Sequence, residues 1–314
     1  MASRSRPSPF LLPLCVLPLC TALVLAGCGK DKKAADTTVA AAPDSTSVAA
    51  DTGTPEGPTT TAAANCAVEK LPLVKPGQLT IGTDKPAYDP WFSNDDPTNG
   101  KGFESAVAYA IAETMGFTKD QVKWVVVPFN SSFAPGKKDF DFDFNQISIT
   151  EDRKQAVDFS EGYYDVNQAV VALKDSPAAN AKSMVDLKPF KFGAQVGTTS
   201  LDFIKNSIGP AQEPFVYDDT NGAKAALTSK QIDAIVVDLP TAFFISAAEI
   251  ENSKVVGQFA TTGGGEQFGA LFEKGNLLVP CVNTAIAELR ATGKLGAIQD
   301  AELAQATNAP VFTP

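Results

Sequence analysis

Histidine is absent from all 314 residues of the chain. Its absence removes the usual general base of hydrolases and any histidine-ligated metal site. There is no CxxC pair, no GxxxxGK[ST] and no GxGxxG behind a strand, which excludes dithiol redox chemistry, phosphate-loop binding and dinucleotide binding in turn. Basic residues are in deficit, 26 against 36 acidic, and nucleic acid is therefore disfavoured as a partner. The apolar run from Phe10 to Leu25 is short for a membrane span and is interrupted by Pro13 and Pro18. The triple glycine Gly263 to Gly265 has no flanking lysine and opens no clear helix, so it reads as a flexible crossover rather than a phosphate loop. No cofactor and no metal are expected.

What is present begins with a processing signal over residues 1–27. Arg4 and Arg6 precede the apolar run, which ends at "LAGC", Leu25 to Cys28. This resembles the lipobox of bacterial lipoproteins, which implies cleavage before Cys28 and acylation of that cysteine. A plain secretory peptide with a chance cysteine is the alternative. Residues 28–65 hold Ala, Thr, Asp, Ser and Pro with hardly any large apolar side chain, too little to bury a core. They are expected to be a disordered tether with an r.m.s. reach of about 35 Å. Of five cysteines, Cys15 and Cys20 leave with the signal, so the folded body keeps Cys66 and Cys281. Two cysteines in an exported body suggest one disulfide, although spacing alone leaves two separate buried thiols open.

From Gln78 onward short apolar strands alternate with helical patterns: "LTIGT", "VKWVVVPF", "FDFNQISI", "QAVVAL", "FGAQVG", "PFVYD", "DAIVVD" and "FGALF". Such alternation predicts an α/β fold with largely parallel sheets. The clearest helix is "GFESAVAYAIAETMG", where Phe103, Ala106, Val107, Ala110 and Ile111 form one apolar stripe and Gly116 closes the end.

Ligands of open α/β sheets collect beyond the carboxyl ends of the strands. Those ends deliver Asp84, then Ser148 and Thr150, then Gly197, Thr198 and Thr199, and finally Asp238. Arg153 follows closely on Thr150, in what should be a helix's first turn. A cation there opposes the helix dipole at a cost of about 0.3 to 1 kcal/mol, and the residues that could pair with it, Ala156 and Val157, are apolar. An anion from outside the chain would resolve the conflict. Taken singly, Thr150, Thr199 and Asp238 could merely cap helices or turns. Together, one arginine with backbone amides at two helix starts suits a carboxylate, and one aspartate with a serine suits an ammonium, which is the zwitterion of an α-amino acid.

With these residues the sequence resembles the polar amino acid family, family 3, of bacterial extracytoplasmic solute-binding proteins, the receptors of ATP-driven (ABC) importers. The resemblance runs from about Pro76 to Ala306. It is carried in order by "GQLTIGTD", "GKGFESAVAYAIA", "ISITEDRKQAVDFSEGYY", "GAQVGTTSLDFI", "YDDTNGAKAALTSKQIDAIVVDLPTA" and "VVGQF". It implies a two-lobed α/β fold of the type II periplasmic-binding-protein kind, whose lobes are joined by two crossover strands and close on the ligand. The first lobe would comprise residues 66–165 and 266–314, and the second residues 166–265. By the same resemblance Arg153 grips the ligand carboxylate with amides near Thr150 and Thr199, while Asp238 and Ser148 take the amino group. Asp84 would meet a polar or basic side chain, flanked by Tyr88 and Phe129.

The chain also departs from the family. Gln146 stands where a small residue is usual and is expected to narrow the pocket, Glu151 and Asp152 replace Pro-Glu, and Tyr88 lies one residue late. The resemblance further implies a membrane permease with its ATPase as partner, and a lipid-anchored place on the outer face of the bacterial cell membrane. A dehydratase on the same fold, or a sensor reporting to a membrane receptor, are the alternatives. Lys85 or Gln146 could also adapt the site to another solute.

Overall fold

The computed structural model describes residues 66–259, 265–303 and 309–313. The expected signal segment, lipid-bearing Cys28, the tether, and Gly263 and Gly264 of the crossover lie outside the described residues.

In chain order the strands are β1 (Leu79–Thr83), β2 (Val122–Val126), β3 (Phe142–Asp143), β4 (Val157–Phe159), β5 (Tyr164–Asp165), β6 (Gln168–Leu173), β7 (Phe192–Gln195), β8 (Phe215–Tyr217), β9 (Ala234–Asp238), β10 (Ser253–Gln258), β11 (Gln267–Phe268) and β12 (Leu271–Glu273). The helices are α1 (Phe103–Thr114), α2 (Phe129–Ser132), α3 (Glu151–Ala156), α4 (Met184–Leu187), α5 (Thr199–Phe203), α6 (Thr220–Thr228), α7 (Leu239–Phe244), α8 (Val279–Ala291) and α9 (Lys294–Leu303). Two five-stranded sheets result, ordered β2-β1-β3-β12-β4 and β10-β6-β9-β7-β8, with β5 and β11 paired between them.

Continuous apolar runs became central strands: β1 and β6 are buried at every position because both faces of each sheet are covered. On the second sheet Val170, Phe192, Ala234 and Val236 face one core, while Ala169, Val171, Ile235 and Val237 face the other. On the first, α1 buries Phe103, Val107, Ala110 and Ile111 against a core shared with α8, and Ala106 is half-buried. Gly116 turns the chain away from α1 with φ +92°.

The sheets are mixed rather than largely parallel. β1 runs parallel to β2 and β3, and β7 runs parallel to β8 and β9. However, β6 is antiparallel to β9 and β10, and β12 is antiparallel to β3 and β4. Both strands enter their sheets straight from the crossing pair, without the helical crossover that parallel neighbours require. The predicted strand "FDFNQISI" also keeps ladder pairing only at Phe142 and Asp143, because Gln146 adopts φ +48° and breaks the extended run.

A disulfide joins Cys66 to Cys281, fixing the start of the body to α8. The expected grouping of residues 266–314 into one lobe fails at its end. The Gln258 amide donates to the Pro310 carbonyl at 2.7 Å and the Phe312 amide to the Gln258 carbonyl at 2.9 Å, so the final residues extend the second sheet. Phe312 packs against Phe259 there, with ring centroids 4.9 Å apart, and this burial draws the tail across.

Candidate functional site

Between the two sheets lies a small cavity of about 60 Å³. Its walls come from strand ends of both lobes. Asp84 follows β1, Asn145 and Ser148 follow β3, Gln195 ends β7 and Asp238 ends β9, while Thr198 to Ser200 open α5. Of the residues singled out in the sequence, Asp84, Tyr88, Phe129, Gln146, Ser148, Arg153, Thr198, Thr199 and Asp238 line it.

Thr150 and Gly197 are not among the lining residues. Thr150 caps α3, its Oγ1 accepting the Arg153 amide at 3.2 Å. Gly197 acts through its carbonyl, which accepts from Arg153 Nη2 at 2.9 Å. Its φ is +75°, and a Cβ there would stand 2.2 Å from Asn130 Oδ1, so glycine is required where the lobes meet.

Arg153 is buried and has partners within the chain. Nη1 donates to the Ser148 carbonyl at 2.7 Å, and the guanidinium lies 4.7 Å from the Phe133 ring centroid and 5.5 Å from that of Phe129. These are carbonyl and ring partners, and no carboxylate among the described residues forms an ion pair with it. Burial lowers its pKa, and the charges of Glu266, Asp202 and Asp238 oppose the shift.

Across the cavity Asp238 Oδ1 accepts from Gln168 Nε2 at 2.9 Å. Burial first, and then the charge of Glu266, push its carboxyl well above the usual carboxylate range. Asp84 accepts the Phe129 amide at 3.1 Å through Oδ2 and the Lys85 amide at 2.7 Å through Oδ1. The Tyr88 hydroxyl is buried with no hydrogen-bond partner among the described residues, and burial raises its pKa. Gln146 is held by Glu104, which accepts from its backbone amide at 2.8 Å and from its side-chain amide. Its conformation is therefore set by lobe 1.

Several lining groups carried no signal of their own in the sequence. Gln195, Thr220 and Thr241 lie at strand or helix ends of the second sheet, where the strand-end rule, applied to every strand, would have found them. Glu266 is not among the lining residues; it precedes β11 in a stretch with no periodicity, yet it reaches the lining residue Ser148 and also Gln168. Trp91, for which the sequence offered no reading, donates from Nε1 to Thr241 Oγ1 across the lobes at 2.8 Å. Among the described residues no acidic or cysteine cluster could hold a metal ion.

A cavity between two α/β lobes, lined by Asp84 and Arg153 from one side and Asp238 from the other, accords with the family described as bacterial extracellular solute-binding proteins, family 3, whose profile matches residues 79–303. The chain belongs to this family. This family 3 protein is 31% identical over 223 residues to a probable histidine-binding protein of Campylobacter jejuni, covering 68% of this chain and 80% of that one. It is 30% identical over 236 residues to an L-arginine-binding protein of Pseudomonas aeruginosa, covering 70% of this chain and 89% of the other. A solved structure of an ancestral arginine-binding protein bound to glutamine matches with a TM-score of 0.60 and 29% identity, covering 72% of this chain and 97% of that chain. The fold is the two-lobed type II periplasmic-binding-protein-like fold, with β5 and β11 as its crossover strands. Among the described residues no helix is long and apolar enough to cross a membrane.

Proposed function

We propose that this solute-binding protein captures a polar or basic L-amino acid between its lobes and hands it to the permease of an ABC importer, acting as a receptor and not as an enzyme. One observation carries the reading: Arg153 on the first lobe and Asp238 on the second line the same cavity. Arg153 takes the α-carboxylate with amides at the start of α5 near Thr199. Asp238 and Ser148 take the α-ammonium. Each such charge-assisted bond contributes about 1.5 to 3 kcal/mol net, enough in sum for micromolar affinity after the cost of immobilising the ligand.

Asp84 meets the side chain and favours an amide or a cation over an acid, because a second carboxylate would be repelled. Tyr88 and Phe129 flank it. Relatives named for histidine and arginine, and an ancestral arginine-binding protein bound to glutamine, support this class of ligand. Acylated Cys28 holds the receptor at the outer face of the cell membrane. Calorimetric titration of the purified full chain, freed of co-purified ligand, against the twenty amino acids tests the reading. Saturable micromolar binding of glutamine, histidine, arginine or lysine is expected. A folded sample that binds none of the twenty, or that dehydrates prephenate or arogenate, overturns it.

A further inference from the structure

Glu266 is a carboxylate beside the cavity, bonded to its lining residue Ser148, that the zwitterion reading leaves unused. Its backbone is fixed by the Val166 amide, which donates to the Glu266 carbonyl at 2.8 Å and pins the returning crossover to the outgoing one. Its side chain then bridges the lobes. Oε1 accepts from the Ser148 hydroxyl on the first, and Oε2 accepts from Gln168 Nε2 on the second at 3.1 Å.

The same Nε2 donates to Asp238 Oδ1 at 2.9 Å. Gln168 is buried, and its Oε1 is occupied by the Ser200 hydroxyl at 2.7 Å, which fixes the orientation of the amide. One nitrogen therefore holds two carboxylate oxygens that cannot be more than about 6 Å apart. Burial and then this neighbouring carboxylate push Asp238 well above the usual carboxylate range. Arg153 hydrogen-bonds the Ser148 and Gly197 carbonyls and neither carboxylate, so its charge acts on them only at a distance and does not cancel the rise at Asp238. The other titratable groups facing the pair are Glu104 on α1 and Tyr163 and Tyr164 on the outgoing crossover, and none of them adds positive charge.

We propose that Glu266 is a specificity-determining residue that forms with Asp238 a paired-carboxylate trap for the ligand's ammonium, giving up a shared proton to solvent when the ammonium arrives. The proposal rests on the amino acid reading above and adds to it a residue and a proton count. In the empty site Asp238 keeps its proton beside Glu266. The ligand's ammonium brings the compensating charge, so the proton leaves and both carboxylates become anionic around it. Affinity consequently rises with pH through the range in which the empty pair titrates. A ligand without a cationic amine, such as a simple carboxylic acid, leaves the proton in place and the trap unused.

The test is calorimetric titration of the full chain with L-glutamine and with L-arginine near pH 7, each in two buffers of contrasting ionisation enthalpy, for wild type and Glu266→Gln. Wild type is expected to release close to one proton per ligand, roughly the whole coupled proton. E266Q should bind roughly tenfold more weakly and lose that release. Should E266Q not fold, Glu266→Asp keeps the charge but shortens its reach, and it should lower the release. Binding by wild type without proton release, or release unchanged in the variants, overturns this inference alone. Failure of wild type to bind either probe or any other amino acid overturns the receptor reading with it.

Discussion

Arg153 is the residue in which local and tertiary demands conflict most openly. It is the third residue of the six-residue α3 and falls in that helix's last turn, and its charged guanidinium is nonetheless buried between two carbonyls and the Phe133 ring. Arg153→Ala should therefore lower amino acid affinity by at least about a hundredfold, the loss of two or so charge-assisted bonds. Its circular dichroism should stay that of wild type. Glu151→Ala is the contrasting change, because Glu151 is exposed and its pairing with Lys154 is a surface contact of little worth. Near wild-type affinity in the arginine variant would remove Arg153 from the site. Glu104 provides a second test. Burial lifts its carboxyl from the ordinary 4.5 to about 7, against the opposing donors Tyr163 and Gln146. A raised carboxyl favours the protonated fold, so its contribution is fully present below the unfolded value near 4.5 and is lost as pH rises through about 7. Buried Asp143 acts in the same direction. Urea midpoints should thus fall between pH 5 and 7.5, and Glu104→Gln should flatten the slope. A midpoint that rises over this range contradicts the assignment.

The elements follow from composition where burial is complete and depart from it where the chain changes lobes. β1 and β6 were expected as apolar runs and stand inside their sheets, each second from an edge. β10 contains Lys254, Gly257 and Gln258 and carries a weaker pattern, so its role beside β6 is set by pairing with a neighbour rather than by its own side chains. The disulfide belongs with the elements, since it fixes the segment before β1 to α8. Cys281→Ser should lower stability to unfolding by about 2 to 4 kcal/mol, with ligand affinity unchanged because both cysteines lie away from the cavity lining. Chemical denaturation of the two proteins in the absence of reductant measures the difference.

In the molecule as a whole, side-chain contacts run from one lobe to the other: Arg153 to Gly197, Trp91 to Thr241, and Glu266 to Gln168. Thr241→Val removes one neutral bond across the lobes, worth about 1 kcal/mol. It should weaken amino acid binding roughly fivefold by making closure less favourable, with little effect on the unfolding midpoint. Trp91 emission should change on ligand addition, and an emission that stays constant through saturation would show that this bond does not report closure.

Apolar periodicity and strand-end polarity in the chain were sufficient for the α/β class, for α1 with its buried stripe, and for Asp84, Ser148, Thr198, Thr199 and Asp238 at the cavity, while Tyr88, Phe129 and Gln146 were reached through the family resemblance. Each depends on a repeat or a neighbour within a few positions, and that information is local. The antiparallel direction of β6 and β12, the return of Phe312 to the second sheet, and the meeting of Glu266 with Asp238 through Gln168 involve groups tens to hundreds of positions apart. Glu266 and Asp238 show no shared pattern along the chain. Their proximity is produced by two crossovers that bring separate lobes to one point, and the physics of a paired carboxylate begins only there.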